Sequence, residues 1–131
     1  MAGPKMDGAG TVKIKTLEEA LTKVQTLHTI VERMAVEMRS NKPTQAFGMQ
    51  LRRQGTPLVG LLKGQFGMIS DQVAALILVS TRSGGGDQAK LRAMREGVAQ
   101  VRTALEIAVT RTREAHTIED EKKDAADESA A

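Results

Sequence analysis

The chain has 131 residues and a formal net charge of +3, with no Cys, Trp or Tyr and only Phe47 and Phe66 as aromatic residues. That length suits one domain, and the absence of thiols excludes disulfides, thiol catalysis and thiolate metal sites while fitting a reducing, cytoplasmic setting. The core must be built from Leu, Ile, Val, Met and Ala, and the longest apolar run, Val73 to Val79, falls far short of the ~20 residues a membrane-spanning helix needs.

Residues 1–15 combine Gly3, Gly8 and Gly10 with Pro4 and isolated lysines. They lack the apolar centre of a targeting segment and read as a flexible tail. Thr16 with Glu19 forms a capping box, in which the hydroxyl and the carboxylate each satisfy an amide of the first turn. A helix is therefore predicted from residue 16. Its apolar positions follow a heptad, with Leu17, Val24, Val31 and Met38 in one row and Ala20, Leu27 and Met34 in the other, which keeps one seam against a neighbouring helix. Pro43 disfavours helix at the residue before it and ends the pattern near Ser40-Asn41-Lys42.

Pro43 to Gln54 predicts a short helix carrying Ala46, Phe47, Met49 and Leu51. Gly55-Thr56-Pro57 reads as an interruption, with Thr56 as cap and Pro57 as the first residue of a restarted helix. This second long helix is expected to run to about Ser83, with Leu58, Leu62, Phe66, Ile69, Val73, Leu76 and Ser80 on one stripe. Leu61, Met68, Ala75 and Leu78 make a second apolar stripe. A helix that is apolar on two sides either lies centrally or buries one side against another chain.

Gly60, Gly64 and Gly67 lie within this predicted helix, where each costs up to ~1 kcal/mol relative to Ala. Close approach by a neighbouring helix offsets that cost and is the expected reason for them; a helix kept soft for a partner is the alternative. Leu61-Leu62-Lys63-Gly64 resembles the Leu-Lys-Gly segment that follows the phospho-accepting histidine of histidine phosphotransfer modules. Gly60 stands here in the acceptor's place, so the resemblance implies a degenerate docking domain of a signalling pathway that carries no phosphate.

Gly84-Gly85-Gly86 predicts a break, with Asp87 as the next cap. Leu91, Met94, Val98, Val101, Leu105, Ala108, Thr112 and Ala115 then follow a regular three-four spacing, the mark of coiled-coil packing. Outward pairs such as Arg92 with Glu96 and Arg102 with Glu106 are expected to contribute ~0.3 kcal/mol each. After Ile118 the chain turns acidic, and residues 119–131 read as a second flexible tail.

The whole predicts an all-α fold: an antiparallel bundle of three long helices over residues 16–118, the second preceded by a short helix, with coiled-coil-like packing. The surplus apolar side predicts a homodimer. Leu62, Phe66, Ile69 and Val73 are the candidates for the apolar contact.

Between Met38 and Ser70 there is no acidic residue, whereas Arg39, Lys42, Arg52, Arg53 and Lys63 are basic. A solvated face that docks an acidic protein, or the chain's own acidic tail, is the simpler reading of segment 39–63. Contact with nucleic-acid phosphates is the runner-up, against which stands the lack of aromatic residues for base stacking.

His28 and Glu32 lie one turn apart but acquire no third ligand at helical spacing, so no metal is expected. Ser70 and Asp71 have no histidine nearby in sequence, and the triple glycine lacks a following Lys-Ser or Lys-Thr pair. The chain therefore reads as a non-enzymatic, cofactor-free helical interaction module: an adaptor, regulator or assembly factor that binds itself and another protein without membrane insertion.

Overall fold

The computed structural model describes residues 8–82 and 86–130, with side chains in the last helix as far as His116. It is all-helical among the described residues, with α1 at Gly8–Arg39, α2 at Gln45–Lys63, α3 at Gly67–Thr81 and α4 at Asp87–Ala130. Four helices pack together where three long ones were expected.

The heptad of α1 works as its spacing predicts, since Leu17, Ala20, Val24, Leu27, Val31 and Met34 are all buried. The helix nevertheless starts at Gly8, so Thr16 is an interior residue and the proposed capping box is not its beginning. The physical reason lies in α4, which is long enough to give these first turns a partner and to bury Gly10 and Ile14. Residues 1–7 lie outside the described residues.

The end of α1 is set by Asn41, whose φ of 55° is left-handed. Lys42 N donates to Glu37 O at 2.9 Å and Asn41 N to Met38 O at 3.1 Å. This paired closure satisfies carbonyls that the helix would otherwise leave open.

The second predicted helix is corrected in two places. No interruption occurs at Gly55-Thr56-Pro57: α2 runs through it, with Pro57 inside the helix and Thr56 Oγ1 donating to Arg52 O at 2.8 Å. Pro57 is tolerated because both it and Arg53, whose carbonyl it cannot serve, are exposed and open to water. Gly55 is a packing residue, since a Cβ there would stand 3.1 Å from Ile77 Cδ1.

The break falls instead at Gly64-Gln65-Phe66, and the chain folds back so that α3 lies antiparallel on α2. Gly48 sits against the Ser80 carbonyl at one end of this hairpin, and Ser70 Oγ donates to Val59 O at 2.9 Å near the turn. The buried stripe survives the fold-back: Leu58 and Leu62 of α2 and Ile69, Val73, Leu76 and Ser80 of α3 are all buried.

Helix α4 carries the most regular seam, with Leu91, Met94, Val98, Val101, Leu105 and Thr112 buried, while Ala115 is exposed. Residues 83–85, which hold most of the triple glycine, lie outside the described residues. Residues 119–130, expected as a tail, continue the helix.

Each of α1 and α3 packs against both α2 and α4, and the Cα traces of the diagonal pairs do not come within 8 Å. The result is a four-cornered bundle with its core along the centre. Leu17, Leu27, Met34, Leu51, Leu58, Leu62, Met94 and Leu105 are its large fully buried side chains, each contributing about 1.5–3 kcal/mol of burial.

The contacts between α1 and α4 show an antiparallel register. Arg95 Nε and Nη2 bond both Glu32 carboxylate oxygens at 3.0 and 2.9 Å. Arg102 Nη2 reaches Gln25 Oε1 at 2.9 Å, and Arg113 Nη2 lies 3.7 Å from Glu18 Oε1. Glu18, Gln25 and Glu32 are spaced by seven on α1, and their partners Arg113, Arg102 and Arg95 by eleven and seven on α4, so three contacts along the pair fix its alignment. Neither expected pair within α4, Arg92 with Glu96 or Arg102 with Glu106, closes among the described residues. Arg102 serves α1 instead.

At 1.5 Å per residue α1 is ~48 Å long and α4 ~66 Å, whereas α2 and α3 reach only ~28 and ~22 Å. Both long helices therefore outrun the α2–α3 hairpin. Beyond its turn they continue as a two-helix extension, in which Gly10 meets the ring of His116.

Candidate functional site

Among the four helices α3 has the most apolar sequence. Asp71 is the only charged residue of that helix. Met68, Ala75 and Leu78 fall within one arc at helical spacing, which also contains exposed Asp71, and Met68 is 83% and Leu78 63% exposed. This is the second apolar stripe of the sequence, with one change: Leu61, on α2, is half-buried and packs on the core. Apolar side chains left in water on one face are what a partner would cover.

Below Met68 the surface dips into a groove of about 400 Å³ between α3 and α4. Phe66, Ile69, Ala104, Ala108 and Thr112 line it, with Met68 and Ile107 on its rim and Gln72 and Arg111 as its polar members. Its position follows from lengths: α3 reaches only as far as its first residue, Gly67, while α4 continues, so the side of α4 from Ala104 to Thr112 loses its neighbour there.

Sequence reasoning missed this feature. Its one signal was Ile107, a large aliphatic residue off the three-four seam of α4, which is 46% exposed.

The residues proposed for apolar contact have another use. Leu62, Ile69 and Val73 are buried in the bundle's own core, and Phe66 is half-buried against it. They hold the hairpin together and are not available to a partner; only Phe66 and Ile69 also reach the groove.

Gly60, Gly64 and Gly67 are likewise reassigned. A Cβ at any of the three would meet nothing within 4 Å, so no other helix of the chain packs closely on them. Gly64 and Gly67 flank the turn, and Gly60 sits exposed on α2. The close approaches occur at Gly48 and at Gly97, where a Cβ would stand 2.7 Å from Leu76 Cδ1.

Arg39, Lys42, Arg52, Arg53 and Lys63 are all exposed, but the fold strings them out. Arg39 and Lys42 lie at the α1–α2 connection, Arg52 and Arg53 in the middle of α2, and Lys63 at its far end. Lys42 Nζ lies 3.9 Å from Glu37 Oε2, and Arg39 Nε reaches Ala35 O at 3.5 Å. What remains is an α2 flank with three cations and no carboxylate.

The histidines occupy different places. His28 is half-buried on α1, and His116 is half-buried beside Gly10. Among the described residues no three His, Cys, Asp or Glu side chains converge as metal ligands, and no helix is long and apolar enough to cross a membrane.

The strongest electrostatic contact is structural. Hydrogen bonds from Arg95 hold the Glu32 carboxyl below its ordinary value of 4.5, and the same contact raises Arg95. No family model, curated protein or solved structure matches the chain, so the phosphotransfer resemblance gains no support. Its Leu61-Leu62-Lys63-Gly64 segment lies at the turn end of α2.

Proposed function

We propose that the chain is a non-enzymatic helical interaction module that forms a homodimer through the outer face of α3. In that role it acts as a cytoplasmic adaptor, regulator or assembly factor, offering the rest of the bundle to another protein. One observation carries the reading: Met68 and Leu78 stand exposed on a helix whose sole charge is Asp71. Paired across a two-fold axis, the same patch on both copies covers itself.

Sedimentation of the wild type and of Met68→Glu and Leu78→Glu tests the proposal. The wild type is expected to approach twice the 14.1 kDa chain mass as concentration rises, and both variants to remain monomeric with unchanged helix content. A wild type that stays monomeric at the highest concentrations contradicts it.

A second reading, nucleic-acid binding, draws on the acid-free α2 flank of Arg52, Arg53 and Lys63. Titration with duplex DNA and RNA at two salt concentrations separates the two. Phosphate contact requires binding that weakens steeply with salt, and no binding at low salt removes this reading.

A further inference from the structure

The groove below Met68 contains polar groups that the fold leaves without partners. Helix α3 begins at Gly67 with no side-chain cap and no acidic residue in its first turn. Phe66 O accepts from Ser70 N at 2.9 Å, which leaves the amides of Gly67, Met68 and Ile69 without an acceptor among the described residues. Such a helix end bears a partial positive charge.

A bare helix start is common and by itself defines nothing. The second observation is Thr112, which lines the groove, is only 9% exposed, and forms no side-chain hydrogen bond among the described residues. A threonine inside a helix ordinarily satisfies its hydroxyl on the carbonyl one turn back, as Thr22, Thr29, Thr56, Thr81 and Thr110 do here. Thr112 does not, and a buried hydroxyl without a partner costs about 1–3 kcal/mol. Arg111, beside it and exposed, makes no ion pair among the described residues.

Three kinds of donor thus belong to residues at or beside one apolar trough: backbone amides at the start of α3, a buried hydroxyl and a guanidinium without an ion pair among the described residues. Among the described residues no carboxylate lines the groove. The walls are Phe66, Met68, Ile69, Ala104, Ile107 and Ala108, and the volume lies within the range of small-molecule sites, about 300–1,000 Å³.

We propose that this groove binds a small amphipathic carboxylate, an apolar chain or ring ending in a carboxylate group. The carboxylate lies at the start of α3, where it accepts hydrogen bonds from the free amides and the Thr112 hydroxyl and pairs with Arg111. The apolar body lies along Ile69, Ala104, Ile107 and Ala108. A plain anion would leave the trough wet, and a plain hydrocarbon would leave the donors unserved.

The groove shares Met68 with the proposed dimer face, whereas Leu78 lies outside it, so substitution of Leu78 tests the two apart. Octanoate is the probe, titrated calorimetrically into the full chain alongside octanol and acetate. Octanoate is expected to saturate one site per chain, with the other two binding at least tenfold more weakly.

Arg111→Gln is expected to weaken octanoate about tenfold and Thr112→Val about threefold or more. Thr112→Val is also expected to raise the unfolding temperature of the ligand-free protein, since it removes an unserved polar group. A merely structural threonine would not combine these two effects. Leu78→Glu is expected to leave octanoate binding unchanged, which separates failure of this site from failure of the dimer. Octanol binding as tightly as octanoate, unchanged binding in Thr112→Val, or loss of binding in Leu78→Glu would each overturn the proposal.

Discussion

Gly48, buried on α2, and Gly60, exposed on the same helix, give opposite consequences for one added methyl group. At Gly48 a Cβ would fall within contact distance of the Ser80 carbonyl oxygen, with the Ser80 carbonyl carbon at 3.2 Å and Thr81 Cα at 3.8 Å. All three are backbone atoms of α3, so relief requires the helices to separate. Overpacking of this kind costs about 1–3 kcal/mol. At Gly60 nothing lies within 4 Å and the position is inside a helix, so Ala gains about 0.4–1 kcal/mol by restricting the unfolded chain.

For a domain of this size each kcal/mol moves the midpoint by about 3–6 °C. Gly48→Ala is therefore expected to unfold several degrees below the wild type and Gly60→Ala a few degrees above it. The assay is thermal unfolding followed by circular dichroism, with protein concentration held constant because dimerisation shifts the midpoint. Gly48→Ala matching the wild type would refute the close α2–α3 packing. A loss at Gly60 would mean that something covers that face.

Leu105→Ala removes a fully buried side chain of the α4 seam and is expected to cost about 2–5 kcal/mol in urea unfolding. The Glu32–Arg95 contact makes a small pH-dependent contribution. Because the carboxyl is held below its ordinary 4.5, the stabilisation is present above that value and is lost as pH falls through the lower folded one. Both side chains are more than a third exposed, so the contribution stays under about 1 kcal/mol. Arg95→Gln should accordingly be slightly less stable than the wild type at neutral pH, with the gap closing as the pH falls below 4.5.

The helical class was legible because the periodicity is strong in α1 and α4, and most of their predicted seam residues are buried, Met38 and Ala108 partly and Ala115 not. The turn between α2 and α3 was hidden by the same periodicity. Leu58, Leu62, Phe66, Ile69 and Val73 keep a helical spacing through the turn, so no gap in the stripe marks it. The mark was Gly64 with Gly67, two residues that also fit close packing, while Pro57 drew attention to a break that tertiary packing overrides.

The exposed stripe of Met68, Ala75 and Leu78 was readable because no second neighbour claims that side of α3. The groove was not, because it depends on where α3 starts relative to α4, and relative helix length follows from the turn position. Thr112 sat on the predicted seam as an ordinary small residue. Its burial without a side-chain hydrogen bond is what distinguishes it.

Both proposals require α2 and α3 to be a hairpin, since that fold-back exposes Met68 and Leu78 and lays the start of α3 against α4. The chain has no cysteine, so Ala46→Cys with Thr81→Cys can carry a pair of spin labels, diluted with unlabelled protein. The hairpin predicts a short separation of about 10–20 Å, helix-packing distance plus the labels. A continuous helix would place the two sites ~52 Å apart at 1.5 Å per residue, and that result would contradict the account.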